Sequence, residues 1–479
     1  MKNATDLIAD LHTKRISSHE LVTDTLERIE VQNPALNAIV AMRPVDEILA
    51  DAKSADVGPI KGPLHGLPIA IKDLAETKEM RTTFGSPLFA DNIPDADCLM
   101  VQRIREAGAI IIGKTNTPEF GLGSHSYNPV YGITRNPYNT ALSAGGSSGG
   151  AAVALATGML PLADGSDMMG SLRNPAAWNN VYGFRPSYGL VPGDPVGDTF
   201  IHQLSTSGPM ARTIRDLALL LQVIGVPDAR LPHGVPAFTP FEPITTLTGL
   251  TIGWVGDWGG YYPMDPEILQ LCEAALDQMR SLGATTKPFT PPIAPEQLWE
   301  SWITLRSWAI AAKQAPLYHN PKTRDLLKPE MIWEIERGLS MSAAQVHKAS
   351  VIRSAWFTAF ASQSDVDVMT IPSAQIFPFN VDLHWPDTVM GHRMDTYHRW
   401  MEVVVPASLT GLPALNVPVG FGVAGLPMGM QLIGQRGADR QVLQIGQLYH
   451  ETTDWPNLHP PKTRLEHAPL PPHNPTIEI

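Results

Sequence analysis

Apolar and polar positions fall into two rhythms along the chain, and each rhythm predicts a kind of element. After Ser17 and Glu20, which have capping-box spacing, Leu21, Val22, Leu26 and Ile29 share one face. That predicts a helix of about 14 residues, ending before Asn33-Pro34. "LPIAIKDLA" (67–75) is a short continuous apolar run and reads as a buried strand with Lys72 near its end. "VQRIREAGAIIIGKTN" (101–116) reads as a helix passing through Gly108 into an apolar strand at Ala109–Ile112. Residues 128–150 are rich in Gly, Pro, Asn and Ser and read as loop, followed by a helix and then a strand in "AAVALATGMLPLADG". Further helices are predicted at 212–224, at 265–284 with Pro266 early in the first turn, and around 296–315. In the last of these, Trp299, Trp302, Leu305 and Trp308 recur at every third position. "TIGWVGDW", "VDVMTIPSA", "ALNVPVGF" and "GMQLIGQ" read as strands, and "DRQVLQIGQLYHET" as a closing helix. From Trp455 onward the prolines predict an irregular tail, 455–479. Helices mixed with short buried strands indicate an α/β chain. No repeat or linker divides it, so a single large domain over 1–479 is expected.

Composition narrows the partners. Of 479 residues, 43% are hydrophobic and 17% charged, enough apolar surface for a large core. The net charge of −12, without any basic run, argues against nucleic acid or an anionic membrane surface as partner. The longest apolar run, "LALLLQVIGV", is too short to cross a bilayer, and the first residues lack the apolar segment of a secretory signal. Cys98 and Cys272 alone cannot build a disulfide framework or a cysteine zinc site, so a cytoplasmic location is the default expectation.

Two stretches stand out chemically. "SAGGSSGGAAVALATG" (143–158) sets four glycines around a serine pair, which lets the backbone adopt conformations that side chains forbid. It does not end in Gly-Lys-Ser/Thr and lacks G-x-G-x-x-G, so it does not match a phosphate-binding loop. A flexible linker would not stand directly before an apolar helix. "GSDMMGSLRNPAAWNN" (165–180) crowds two methionines and a glycine in front of Ser171, the composition of a tight turn with its amides aimed outward. A serine hydroxyl needs a base to attack a carbonyl. No Ser-His-Asp pattern surrounds Ser171, whereas Lys72 beside Ile69, Ile71 and Leu74 could be desolvated enough to be neutral part of the time.

"GLPIAIKD" (66–73), "AGGSSGGAA" (144–152) and "GSDMMGSLRNPA" (165–176), in this order, resemble the amidase signature family. "GKTNTPEFG", "TRNPYN", "GFRPSYGLVP", "GPMARTIRDLALLL" and "GLPALNVPVG" extend the likeness over about 60–240 and 400–450. The resemblance implies a mixed, twisted β-sheet surrounded by helices and hydrolysis of amides through a serine acyl-enzyme. It implies Ser171 as nucleophile, Ser147 as bridging serine after a cis Gly146-Ser147 bond, and Lys72 as base. It implies an oxyanion hole from the amides of Met168, Met169, Gly170 and Ser171, with Asp167 and Arg173 supporting the turn. The family pattern carries glycine where this chain has Met169. A strained Met169 would leave a catalytically silent scaffold, but a turn compatible with a side chain is the reading preferred here. Gly121, Leu122 and Gly123 stand in the loop that approaches the catalytic serine in relatives, which implies substrate contact through their backbone; Ser124 and His125 read either as lining the same pocket or as surface loop, while Lys114 reads as structural. No cofactor or metal is implied; the partners are a small-molecule amide and water, and the dimers frequent among relatives suggest a homodimer by analogy. The resemblance thins over about 225–400, where specificity is expected. There the Trp299/Trp302/Trp308 ridge reads as core or as the wall of an aryl or acyl pocket, and His384, His392, Asp395 and His398 raise a metal site as a minor alternative. A carboxamide or an aryl or acyl amide is the leading substrate class. Carbamates or ureas, and the glutaminase subunit of a transamidating complex, are the alternatives.

Overall fold

The computed structural model describes residues 1–462. Ser17 opens α1 (Ser18–Leu36) through a complete capping box with Glu20. The helix does not stop before Asn33-Pro34; it continues to Leu36 with Pro34 in its last turn. A proline there removes a single helical hydrogen bond, and Asn33 ties the end down. Asn33 Oδ1 accepts from the Ala38 and Ile39 amides, each at 2.8 Å, and its Nδ2 donates to the Ile39 carbonyl at 2.7 Å. Asn37, in the left-handed region at φ 52°, then ends the helix.

Three strands, β1 (Ile39–Val40), β2 (Pro68–Lys72) and β3 (Ile110–Thr115), form a small sheet in the order β1–β3–β2, with β2 and β3 parallel. A large mixed sheet holds β4 (Leu162–Asp167), β5 (Tyr182–Arg185), β6 (Thr206–Ala211), β7 (Thr251–Trp254), β8 (Thr285–Pro288), β9 (Val368–Pro372), β10 (Ala414–Phe421) and β11 (Pro427–Gly434). Its order is β8–β7–β9–β11–β10–β5–β6–β4. The β8–β7–β9 run is parallel and every other pairing antiparallel. Strands β2, β3, β9 and β11 are buried at every position. That is why they read as unbroken apolar runs rather than alternating ones.

Helices pack around these sheets: α2 (Leu99–Glu106), α3 (Gly149–Ala156), α4 (Asn174–Trp178), α5 (Ile214–Ile224), α6 (Pro266–Ser281), α7 (Pro295–His319), α8 (Pro329–Leu339), α9 (Ala343–Ala361) and α10 (Asp439–Thr453). The wholly buried α3 lies between the small sheet and the β4–β6 edge of the large one. Its first two glycines permit that closeness: a Cβ on Gly149 would strike Ser126, and one on Gly150 the backbone of Asn116 and Ala38. The tail expected to be irregular from Trp455 begins instead with a helical turn, Trp455–Leu458. It is anchored because Asn180 donates to the Trp455 carbonyl at 2.9 Å and the Trp455 ring packs on Phe421. The prolines from 469 onward lie outside the described residues.

Candidate active site

The three sequence motifs converge because β2 packs against β4 and α3 packs on both. Lys72 is the last residue of β2, Ser147 and Ser148 lead into α3, and β4 ends at Asp167 just before the turn to Ser171. A hydrogen bond from the Lys72 main-chain amide to the Asp164 side chain, at Oδ1 and 3.0 Å, joins the small sheet to β4.

The Lys72 amine is 1% exposed and donates to Ser147 Oγ and Ser148 Oγ, both at 2.8 Å, and to Ser166 Oγ at 3.1 Å. Loss of hydration pulls its pKa down from 10.5 to about 7, against the opposing pull of the Asp164 and Asp167 charges. Burial in turn pushes Asp164 up to about 6. The two neighbouring serines differ in direction. Ser148 Oγ is turned inward, toward the Ser166 carbonyl at 3.5 Å and up against Gly165. Ser147 Oγ faces the 121–124 loop, 3.5 Å from where a Cβ on Gly121 would lie. The Gly146-Ser147 peptide bond is cis. Ser171 is 7% exposed, and among the described residues its hydroxyl holds no hydrogen bond, to Ser147 or to any other group.

The turn before Ser171 is organised by one carboxylate. Asp167 accepts from the Gly170 amide at 3.0 Å, the Leu172 amide at 3.1 Å, and both Nε and Nη2 of Arg173 at 3.0 Å. Arg185 on β5 adds a further bond at 3.1 Å. Burial alone would raise this carboxyl; the Arg173 and Arg185 guanidinium groups hold it far below the usual range. Arg173 also reaches the Val404 carbonyl at 3.0 Å, Gln431 at 2.5 Å and Ser408 at 2.6 Å, bracing the turn against the chain around 404–408 and β11. The Gly170 amide is therefore engaged, and the expectation that it joins the oxyanion donors is corrected: it is turned onto Asp167. Among the described residues, the amides of Met168, Met169 and Ser171 have no protein partner.

Glycine is required at 170, not at 169. Gly170 has φ +79°, and a Cβ there would lie 2.8 Å from Val404 Cγ1. Met169 lies outside the positive-φ region, so its side chain costs no left-handed strain, and it is buried at 3% exposure.

The remaining candidates separate. Gly121 and Gly123 both have positive φ, and Leu122 gives its carbonyl to Lys328 Nζ at 2.6 Å. Ser124 Oγ is within hydrogen-bond distance of the Gly146 carbonyl (2.7 Å) and of Asn174 Oδ1 (2.6 Å), supporting the segment that carries Ser147. His125 is buried between Ser143 and the Val381 carbonyl, and burial pulls its pKa down to about 4. A recess lies beside this loop, walled by Tyr127, His384, Trp385, Tyr397 and Trp400. Lys114 donates to the Ala75 carbonyl at 2.6 Å and Thr77 at 2.8 Å, pinning the chain beyond β2. Trp299 and Trp302 belong to the core, while Trp308 is half-buried against His202. His398 is wholly buried between Tyr397 and Trp299, but His392 and Asp395 are exposed. Among the described residues no three metal-ligating side chains come together, at this segment or elsewhere. Ser148, Ser166, Asp164 and Arg185 are the site residues that sequence reasoning missed. The doubled serine was the one available signal, and it pointed to Ser148 alone.

The chain matches the Amidase family over residues 20–443. It is 32% identical to an acylamidase of Rhodococcus erythropolis over 469 residues, covering 96% of this chain and 97% of the relative. It is 33% identical to a glutamyl-tRNA(Gln) amidotransferase subunit of Synechococcus sp. (strain CC9605), covering 92% of this chain and 94% of that relative. The solved structure of a bacterial aryl acylamidase of the amidase signature family superposes with a TM-score of 0.88 at 28% identity, covering 95% of this chain and 97% of that one. Fold and relatives together define an enzyme that hydrolyses the C–N bond of amides. The chain belongs to the amidase family.

Proposed function

We propose that the chain hydrolyses a small carboxamide or aryl or acyl amide through a covalent acyl-serine. Neutral Lys72 takes a proton from Ser147 as Ser147 takes one from Ser171, since a hydroxyl donates and accepts at once. Ser171 Oγ then bonds to the amide carbon, and the carbonyl oxygen gains its charge beside the free amides of Met168, Met169 and Ser171. Preorganised donors of this kind each lower the barrier by about 3–4 kcal/mol. The proton returns along the same relay to the leaving nitrogen, the C–N bond breaks, and water releases the acyl group by the same route. For Ser171 to hand its proton on, its unpartnered hydroxyl must rotate onto Ser147 when substrate binds, a tightening common to unliganded sites.

The observation that carries this reading is the buried amine of Lys72 at 2.8 Å from Ser147 Oγ, held near a pKa of about 7. The segment at about 225–400 and the loop 121–124 supply specificity, within a single catalytic domain. Likeness to a component of an amidotransferase supports a second reading, a glutaminase that works with partner subunits. Incubation with a fluorophosphonate, followed by peptide mapping, tests the nucleophile: label on Ser171 is expected, and an unlabelled chain defeats the assignment. Turnover of amides, anilides, carbamates and ureas by the isolated chain separates the readings. Hydrolysis of simple amides or anilides favours the first, and activity only with co-purifying subunits the second.

A further inference from the structure

The two methionines before Ser171 are each gripped by one helix. Trp302 Nε1 donates to Met169 Sδ and Arg306 Nη1 to Met168 Sδ, both at 3.2 Å. Trp302 and Arg306 lie four residues apart on α7 and so share a face, one turn above the other. We propose that Trp302 and Arg306 are positioning residues that clasp the paired thioethers and thereby hold the Met168 and Met169 amides on the reacting carbonyl.

The role of those amides rests on the amide-hydrolase mechanism above; the clasp is an additional claim. A thioether is a weak acceptor on a side chain with three rotatable bonds, a poor anchor unless something holds it. Here the holder is rigid. Arg306 Nε bonds Glu334 Oε1 at 2.7 Å, and its Nη2 bonds the Tyr397 hydroxyl at 2.7 Å. That hydroxyl donates to Glu334 Oε1 at 2.8 Å, and Ser307 occupies Glu334 Oε2 at 2.5 Å. Arg306 and Glu334 are almost wholly buried, at 3% and 0% side-chain exposure. A buried ion pair contributes little net stability; what this one does is aim a guanidinium N–H at the turn. Asp167 orients the other side of the same turn through Gly170 and Leu172. The backbone bearing the free amides is thus fixed from below by a carboxylate and from above by two N–H···S contacts. A glycine at 169 would offer α7 nothing to grip.

Double-mutant cycles test the clasp, using fluorophosphonate labelling of Ser171 together with kcat and KM on an amide substrate. Trp302→Phe and Met169→Leu each remove one half of a contact while keeping the position apolar. Each should slow labelling and lower kcat about tenfold, with KM within about twofold, because a small misplacement of donors acts on the reacting geometry. The Trp302→Phe/Met169→Leu double variant should be no slower than either single one. Arg306→Lys and Met168→Leu form a second cycle with the same expectation, which decides the matter if the first pair folds poorly by circular dichroism. Singles within twofold of wild type, or doubles whose losses multiply to about a hundredfold, overturn the clasp. A wild-type chain that takes no label defeats the catalytic mechanism and, with it, the clasp; labelled wild type with unchanged variants defeats the clasp alone.

Discussion

Replacing Lys72 with methionine should separate the chemistry of the buried amine from its cost to folding. In the folded chain the amine gives up its proton near pH 7, because burial outweighs the Asp164 and Asp167 charges; in the unfolded chain it keeps that proton to about 10.5. Between these values the unfolded state holds one proton more than the folded state. The free energy of unfolding therefore rises with pH, by about 1.4 kcal/mol per pH unit from this group alone. The contribution is fully present above the unfolded pKa and is lost as pH falls through the folded one. Lys72→Met removes this dependence but keeps Lys114, whose pKa burial also lowers, to about 8, so that slope cancels in the comparison. From about pH 8 to about pH 9.5, the stability of wild type relative to Lys72→Met should climb by about 2 kcal/mol. Urea unfolding followed by tryptophan fluorescence at intervals across that range measures it. Two curves that run parallel with pH would mean that residue 72 is charged in the folded protein, and the proposed base would be lost.

Four other substitutions test separate parts of the site. Ser171→Ala should remove both turnover and fluorophosphonate labelling, whereas Ser147→Ala should leave a residual rate about 10²–10⁴-fold below wild type, the usual range for a proton-transfer group; equal, full activity in both refutes the assignment. Gly170→Ala places a Cβ 2.8 Å from Val404 Cγ1 at φ +79°, so a loss of about 1–3 kcal/mol in stability is expected, with slower labelling; an unchanged denaturation midpoint contradicts the strained turn. Arg173→Met leaves Asp167 with Arg185 as its remaining cation and strips Val404, Gln431 and Ser408 of their donor, at a cost of about 3–5 kcal/mol. Calorimetry showing a variant as stable as wild type would mean that the Asp167 network does not brace the turn.

Much of the site could be read in the sequence because it lies at the ends of short apolar strands and in glycine-rich turns, where local composition is distinctive. Lys72 closing "PIAIK" and the serines framed by glycines are of this kind. What could not be read depends on which strand lies beside which. Asp164 reaches the Lys72 amide only because β2 packs on β4, and Arg185 meets Asp167 across the β5–β6–β4 edge. Whether Ser147 or Ser148 faces the substrate side is set by the path of the chain into α3, since both hydroxyls lie equally close to the amine. The engagement of the Gly170 amide follows from Asp167 turning back on its own loop, which composition does not reveal. In the fold, α9 went unread although Ser342 and Gln345 form a complete capping box, because its apolar residues do not gather on one face. Asn33 carried α1 past a proline that normally marks an end. The doubled methionine made sense only once α7 lay across the turn.

The most direct test of the central claim is the pH dependence of acylation itself, followed as the first-turnover burst so that product release does not mask it. With Lys72 as the base, the acylation rate should rise about tenfold per pH unit under acidic conditions, bend near pH 7 and then level off, tracking the loss of the amine's proton. A rate that stays flat from about pH 6 to about pH 9 contradicts a lysine that must be neutral to act.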